Sequence, residues 1–128
     1  MFKTAHELVI AARKSISECS AAQVQEKLHQ PDTLVIDVRE PDEYRQGHLS
    51  SAINIPRGLL EFKLSGEPAL QRLDRPIVVY CKSSGRAALA VVAMQEMGFC
   101  NVVSLAGGFD AWAAAGLPQV KPRAVAFE

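Results

Sequence analysis

Between Pro76 and Arg86 the chain reads Ile77-Val78-Val79-Tyr80-Cys81-Lys82-Ser83-Ser84-Gly85, and it continues into Ala87-Ala88-Leu89-Ala90. No polar residue interrupts Ile77 to Tyr80, so both faces of that segment must be covered, the condition met by an interior strand of a parallel sheet. Pro76 suits the first position of such a strand. The alanines of the helix that follows let it pack close against the sheet. A chain containing this unit is directed to α/β folds, in which strands and helices alternate and ligands meet the carboxyl ends of the strands. Cys81 stands at that end. The loop N–H groups, the positive end of the next helix and the charges of Lys82 and Arg86 all favour a thiolate there, so Cys81 is expected to be a reactive nucleophile.

The rest of the chain keeps the alternation. Thr4-Ala5-His6-Glu7 has capping-box spacing and opens a helix to about Lys14, and Ser20-Ala21-Ala22-Gln23 repeats the signal for a helix ending near Leu28. Leu34 to Val38 reads as a buried strand. Pro41 fits the first turn of a short helix that Gly47 can close. Ala52 to Ile55 is a short strand stopped by Pro56, and residues 58–64 permit a helix. The helix from about Ala87 to Met97 ends in Gly98-Phe99, the order of a Schellman motif. Val102 to Leu105 is the last strand, and Gly107-Gly108 turns the chain into a helix from Phe109 to Ala115. This order predicts parallel pairing with right-handed crossovers. It divides the chain into a helical extension over 1–15, a domain over 16–118 and a tail over 119–128.

Composition narrows the function. With 128 residues, 48% of them apolar and 22% charged, one domain with a continuous core is expected. Fourteen basic and fourteen acidic side chains cancel, which argues against nucleic acid or a membrane surface as the main partner. The apolar stretch Leu8 to Ala12 is too short for a signal-peptide core and nothing approaches a spanning length, so the expected location is cytoplasmic. Three cysteines without metal-ligand spacing argue against a disulfide framework or a zinc site. Cys19 and Cys100 read as small core residues, with a resolving role in persulfide or disulfide chemistry as the alternative. With no phosphate-binding glycine-lysine loop and no dinucleotide fingerprint, no cofactor is expected.

Four separated segments then agree with one family. Leu34-Val35-Ile36-Asp37-Val38-Arg39-Glu40, the pair Glu43 to Leu49 and Ala52 to Pro56, the loop Cys81 to Arg86, and Gly107-Gly108-Phe109-Asp110-Ala111-Trp112 resemble, in that order, the motifs of the single-domain rhodanese-like family. The resemblance implies a rhodanese-like α/β domain, its central parallel sheet flanked by helices on both faces, and a cysteine that cycles through a persulfide. Six residues from Cys81 to Arg86 match the loop length the family associates with sulfur transfer. Relatives that handle phosphate or arsenate carry one residue more. Ser84 departs from the glycine often found at its position.

The implied activity is that of a thiosulfate sulfurtransferase. Cys81 takes a sulfane sulfur from thiosulfate or a related donor and passes it to cyanide or a thiol. The alternative is a persulfide carrier serving a protein donor or thiol acceptor. Amides of residues 82–86 are expected to stabilise the anionic persulfide, with Gly85 letting the loop bend. Ser83 and Ser84 either donate to sulfur or cap the helix. Lys82 is either solvated or attracts an anion at the loop mouth, and Arg86 either contacts the donor or braces Asp37 or Glu43. Asp37 and Arg39 are expected to support the site from behind, and Arg39 either approaches the substrate or forms a surface pair with Glu40 or Glu43. His48 is assigned packing, Trp112 the anchoring of the last helix, and Arg57 is balanced between the pocket rim and no role.

Overall fold

The computed structural model describes residues 1–121. Helix α1 (Ala5–Arg13) and helix α2 (Ala21–Leu28) both begin with complete capping boxes, on Thr4 with Glu7 and on Ser20 with Gln23. Between them lies a strand that the sequence did not announce, β1 (Ser17–Cys19). Strand β2 (Leu34–Asp37) leads into α3 (Pro41–Gln46), which stops at Gly47, and β3 (His48–Leu49) and β4 (Ala52–Asn54) follow. After a 3-10 turn come α4 (Leu60–Gly66), β5 (Ile77–Tyr80) and α5 (Gly85–Glu96), then β6 (Val102–Leu105), α6 (Gly108–Ala114) and β7 (Gln119–Val120).

Five strands form one parallel sheet in the order β1-β6-β5-β2-β4. The uninterrupted apolar strand β5 sits at its centre, buried at all four positions. Alternate residues of β2 and β5 feed two cores on opposite faces. Leu34, Ile36, Ile77 and Val79 pack with Leu60, Leu64, Val91 and Met94 on the side of α4 and α5. Val35, Val78 and Tyr80 pack with Val24, Leu105 and Trp112 on the side of α2 and α6. The five-strand parallel sheet covered by helices is the fold class expected.

The end of α5 carries the Schellman pattern in full. Gly98 takes φ +106°, its N–H donates to the Gln95 carbonyl at 3.0 Å, and the Phe99 N–H reaches back to Met94 at 3.1 Å. At the other boundary the expected tail contributes structure. Gln119 and Val120 of β7 pair antiparallel with Leu49 and His48, and the Trp112 indole N–H donates to the Pro118 carbonyl at 2.7 Å. Residues 122–128, the remainder of the expected tail, lie outside the described residues. Helix α1 packs along α5, with Val9 over Gly85. Among the described residues no helix is long and apolar enough to cross a membrane.

Candidate active site

Cys81 leaves β5 at the carboxyl edge of the sheet with its side chain on the α5 face, and it is 1% exposed. A helix leaves its first N–H groups without internal partners. Ser84, the residue at the N-cap of α5, makes no side-chain capping bond, and the N–H of Ala87 donates instead to Cys81 Sγ at 3.4 Å. The sulfur thus caps a 12-residue helix, where a negative charge meets the positive end of the peptide dipoles. The amide that reaches Sγ belongs to Ala87, one residue beyond the 82–86 amides expected to stabilise a persulfide. The N–H groups of residues 82–86 have no hydrogen-bond partner among the described residues.

What shapes this loop is the N-terminus of α6. The Phe109 N–H donates to the Cys81 carbonyl at 2.8 Å, and the Asp110 N–H donates to the Lys82 carbonyl at 3.0 Å. With its carbonyls held on that side, the loop leaves its N–H groups free for the other. Gly108 allows the approach. It has φ +59°, and a Cβ there would lie 2.3, 2.5 and 2.7 Å from the carbonyl oxygens of Ser83, Cys81 and Lys82. Sequence reasoning gave the glycine pair only the turn into the last helix. The signal was present in Gly107-Gly108, but its contact lies about two dozen residues away in the chain.

The charged loop residues are braced. Lys82 pairs with Asp110 at 2.9 Å, so it is not simply solvated. Arg86 grips Glu43 through both guanidinium ends, at 2.7 and 3.1 Å, which resolves the brace in favour of Glu43 over Asp37. The Arg86 guanidinium lowers the Glu43 carboxyl to about 2. Ser83 and Ser84 form no side-chain hydrogen bond among the described residues, which removes the capping role considered for them. Gly85 is the first residue of α5 and has no positive φ, so the bend does not depend on it.

Of the residues expected behind the site, Asp37 and Arg39, only the partner of Arg39 differs from the sequence reading. They lie on the α6 face of the sheet, opposite Cys81, and both are buried, at 0% and 4% exposure. Arg39 pairs with Asp37 through Nε and Nη2, the shortest contact being 2.7 Å, and Nη2 also donates to the Gly47 carbonyl at 2.6 Å. The expected surface pair with Glu40 or Glu43 does not form, because Asp37, two residues earlier on the same face, is already within the fork of the guanidinium. The guanidinium carbon lies 4.4 Å from the centre of the Phe109 ring and 5.5 Å from that of Tyr80. Arg39 therefore touches α6, and α6 holds the loop. Burial and the nearby Asp37 charge push the Tyr80 phenol far above its ordinary value, so it stays neutral and accepts the Leu49 N–H at 3.1 Å.

His48 stacks on Tyr44 with centroids 3.7 Å apart, and its Nδ1 lies 2.9 Å from the Tyr44 carbonyl, a packing role. Arg57 pairs with Glu61 at 2.8 Å and lines none of the cleft described next. Cys100 is exposed rather than part of the core, and Cys19 is partly buried. Beside the loop opens a cleft of about 300 Å³. Arg39 and Phe109 line it together with Glu43 of α3, Lys82 of the loop, and Gln119 and Lys121 from the β7 segment.

The fold and loop have clear relatives. A sulfurtransferase from Allochromatium vinosum is 37% identical over 91 residues, covering 71% of this chain and 81% of that one. Thiosulfate sulfurtransferase 16 of Arabidopsis thaliana chloroplasts is 37% identical over 92 residues, covering 65% and 76%. A solved structure from Rhodopseudomonas palustris, described as a protein of unknown function and possible tyrosine phosphatase, superposes with a TM-score of 0.83 at 31% identity over 92% of this chain and 95% of that one. The rhodanese-like domain pattern matches residues 20–115, which contain the sheet from β2 to β6 and the whole of the loop. This chain belongs to the rhodanese-like domain family.

Proposed function

We infer that this protein is a sulfurtransferase that carries sulfane sulfur as a persulfide on Cys81, taking it from thiosulfate or a related donor and giving it to a thiophilic acceptor. The observation that carries this reading is the placement of Sγ on the Ala87 N–H at the head of α5, next to a loop whose amides, residues 82–86, have no hydrogen-bond partner among the described residues. Aligned N–H dipoles stabilise charge on sulfur with little reorganisation. In the loading step the Cys81 thiolate attacks the outer sulfur of thiosulfate, the bond between the two donor sulfurs breaks, and sulfite leaves with the bonding pair. In the discharge step an acceptor thiolate or cyanide attacks the outer sulfur of the persulfide, and Cys81 departs as the thiolate. No proton has to move at the sulfur in either step, which is compatible with His48 being engaged in packing. The sulfurtransferases among the relatives support the class, and the thiosulfate enzyme of Arabidopsis supports the donor.

The test is intact mass after incubation with thiosulfate and again after cyanide. The expected result is a gain of one sulfur atom that cyanide removes, absent in Cys81→Ser. Loading that persists in Cys81→Ser overturns the assignment.

A further inference from the structure

Among the described residues two buried side-chain oxygens make no hydrogen bond, and they are neighbours: Glu18 Oε2 and Ser104 Oγ. Ser104 is 0% exposed. Glu18 and Ser104 are register partners on β1 and β6, and partners on adjacent parallel strands project from the same face of the sheet. That face is the one covered by α5, because Ser104 is also in register with Val79, which packs with Val91 and Met94 of that helix. A buried oxygen left unpaired is costly, and native structures pair or hydrate nearly all of them.

The chemistry of the two oxygens selects what completes them. The Glu18 carboxylate only accepts. Its other oxygen, Oε1, already takes Nε and Nη2 of Arg13 in α1 at 3.1 and 3.0 Å, so its charge is met and a cation is not called for. A neutral molecule that donates to Oε2 and pairs with a hydroxyl is required, and water, with two hydrogens and two lone pairs, does both. Glu18 also lines an open groove of about 320 Å³ with Ile10, Arg13 and Lys14, which places solvent beside the carboxylate.

The position gives this water a task. Helix α1 and Glu18 precede residue 20, where the family match begins. Helix α1 lies along α5 with Val9 over Gly85, the first residue of the helix whose Ala87 N–H reaches Cys81 Sγ. We propose that Glu18 and Ser104 bind one internal water, and that the chain from Arg13 through Glu18 and the water to Ser104 is a polar lock holding α1 against the head of α5. No sulfur chemistry enters this lock, so its failure leaves the persulfide reading standing.

The experiment has two parts, both on the full chain. A high-resolution crystal structure is expected to show a density peak at hydrogen-bond distance, about 2.5–3.0 Å, from both Glu18 Oε2 and Ser104 Oγ. A direct bond between the two oxygens, or either oxygen turned to bulk solvent, overturns the proposal. The second part is amide hydrogen exchange in the wild type and Ser104→Ala. The amides of α1, and the Ala88 N–H that donates to the Ser84 carbonyl at 2.9 Å in the first turn of α5, are expected to exchange about tenfold faster in Ser104→Ala, the effect of one net hydrogen bond. The Tyr44 N–H of α3, bonded to the Glu40 carbonyl at 3.2 Å, keeps its rate. Unchanged exchange in α1 overturns the lock, as does an equal acceleration at Tyr44, which would show a general loss of stability. Ser17→Ala removes an exposed hydroxyl from the other face of β1 and leaves all these rates unchanged; an acceleration of α1 equal to that in Ser104→Ala also overturns the lock. If Ser104→Ala fails to fold, the crystal structure decides by itself.

Discussion

Replacing Gly108 by alanine tests whether α6 shapes the loop. The added Cβ would stand 2.3 to 2.7 Å from three carbonyl oxygens, against about 3.3 Å for the closest ordinary carbon-to-oxygen approach. Loop and helix must therefore separate by up to about 1 Å. The left-handed φ of +59° adds roughly 1–2 kcal/mol for a residue with a Cβ, and overpacking adds about 1–3 kcal/mol. The expected loss of stability is about 2–5 kcal/mol. Moving the loop amides by this amount relative to Sγ is expected to slow sulfur loading by about 10²-fold. Gly116→Ala is the control: Gly116 has φ +70° but nothing within 4 Å of its Cβ position, so it reports the backbone strain without the clash. Urea denaturation gives the stabilities, and single-turnover loading from thiosulfate, read by intact mass, gives the rates. A Gly108→Ala protein that matches Gly116→Ala in both stability and loading rate refutes the clamp.

Three further outcomes are expected. Arg39→Met leaves the buried Asp37 carboxylate unpaired, which costs about 3–5 kcal/mol in urea denaturation and slows loading through the loss of the Phe109 contact; a neutral effect on both counts against the Arg39 to α6 linkage. Because Arg86 lowers the Glu43 carboxyl to about 2 from 4.5, the stability from that pair is fully present above about pH 4.5 and is lost as pH falls towards 2. The difference in urea midpoint between wild type and Glu43→Gln should shrink over that window, and a difference that grows on acidification refutes the brace. Cys100 is exposed and its Sγ lies 3.3 Å from the Leu73 carbonyl, outside the loop, so Cys100→Ser should load sulfur at the wild-type rate in the mass assay.

How far the sequence could be read follows from the range of each interaction. Both capping boxes and the Schellman turn form within a few residues, and each appears where its local signal stood. Strand β5 was legible because burial on both faces removes polar residues from the sequence itself. By contrast β1, β3 and β7 are two or three residues long and have no period to detect. They exist because a distant strand offers hydrogen bonds, as Ser17 pairs with Val103 and His48 with Val120. Cys100 misled because a cysteine after an aromatic residue carries no mark of which way it faces.

The chemistry of the site divides in the same way. The order of strand, cysteine, six-residue loop and helix was enough to place a nucleophile at the head of α5, since chain connectivity alone brings Sγ to the Ala87 N–H. The partners that govern the loop come from elsewhere. Glu43 reaches Arg86 across the site, α6 takes the loop carbonyls from a segment much later in the chain, and Arg39 turns inward because Asp37, Gly47 and Phe109 converge around it. A single strand cannot show this, because a charged residue is buried only where several separate elements together supply its counter-charge and hydrogen bonds, and that meeting exists only once the sheet has assembled.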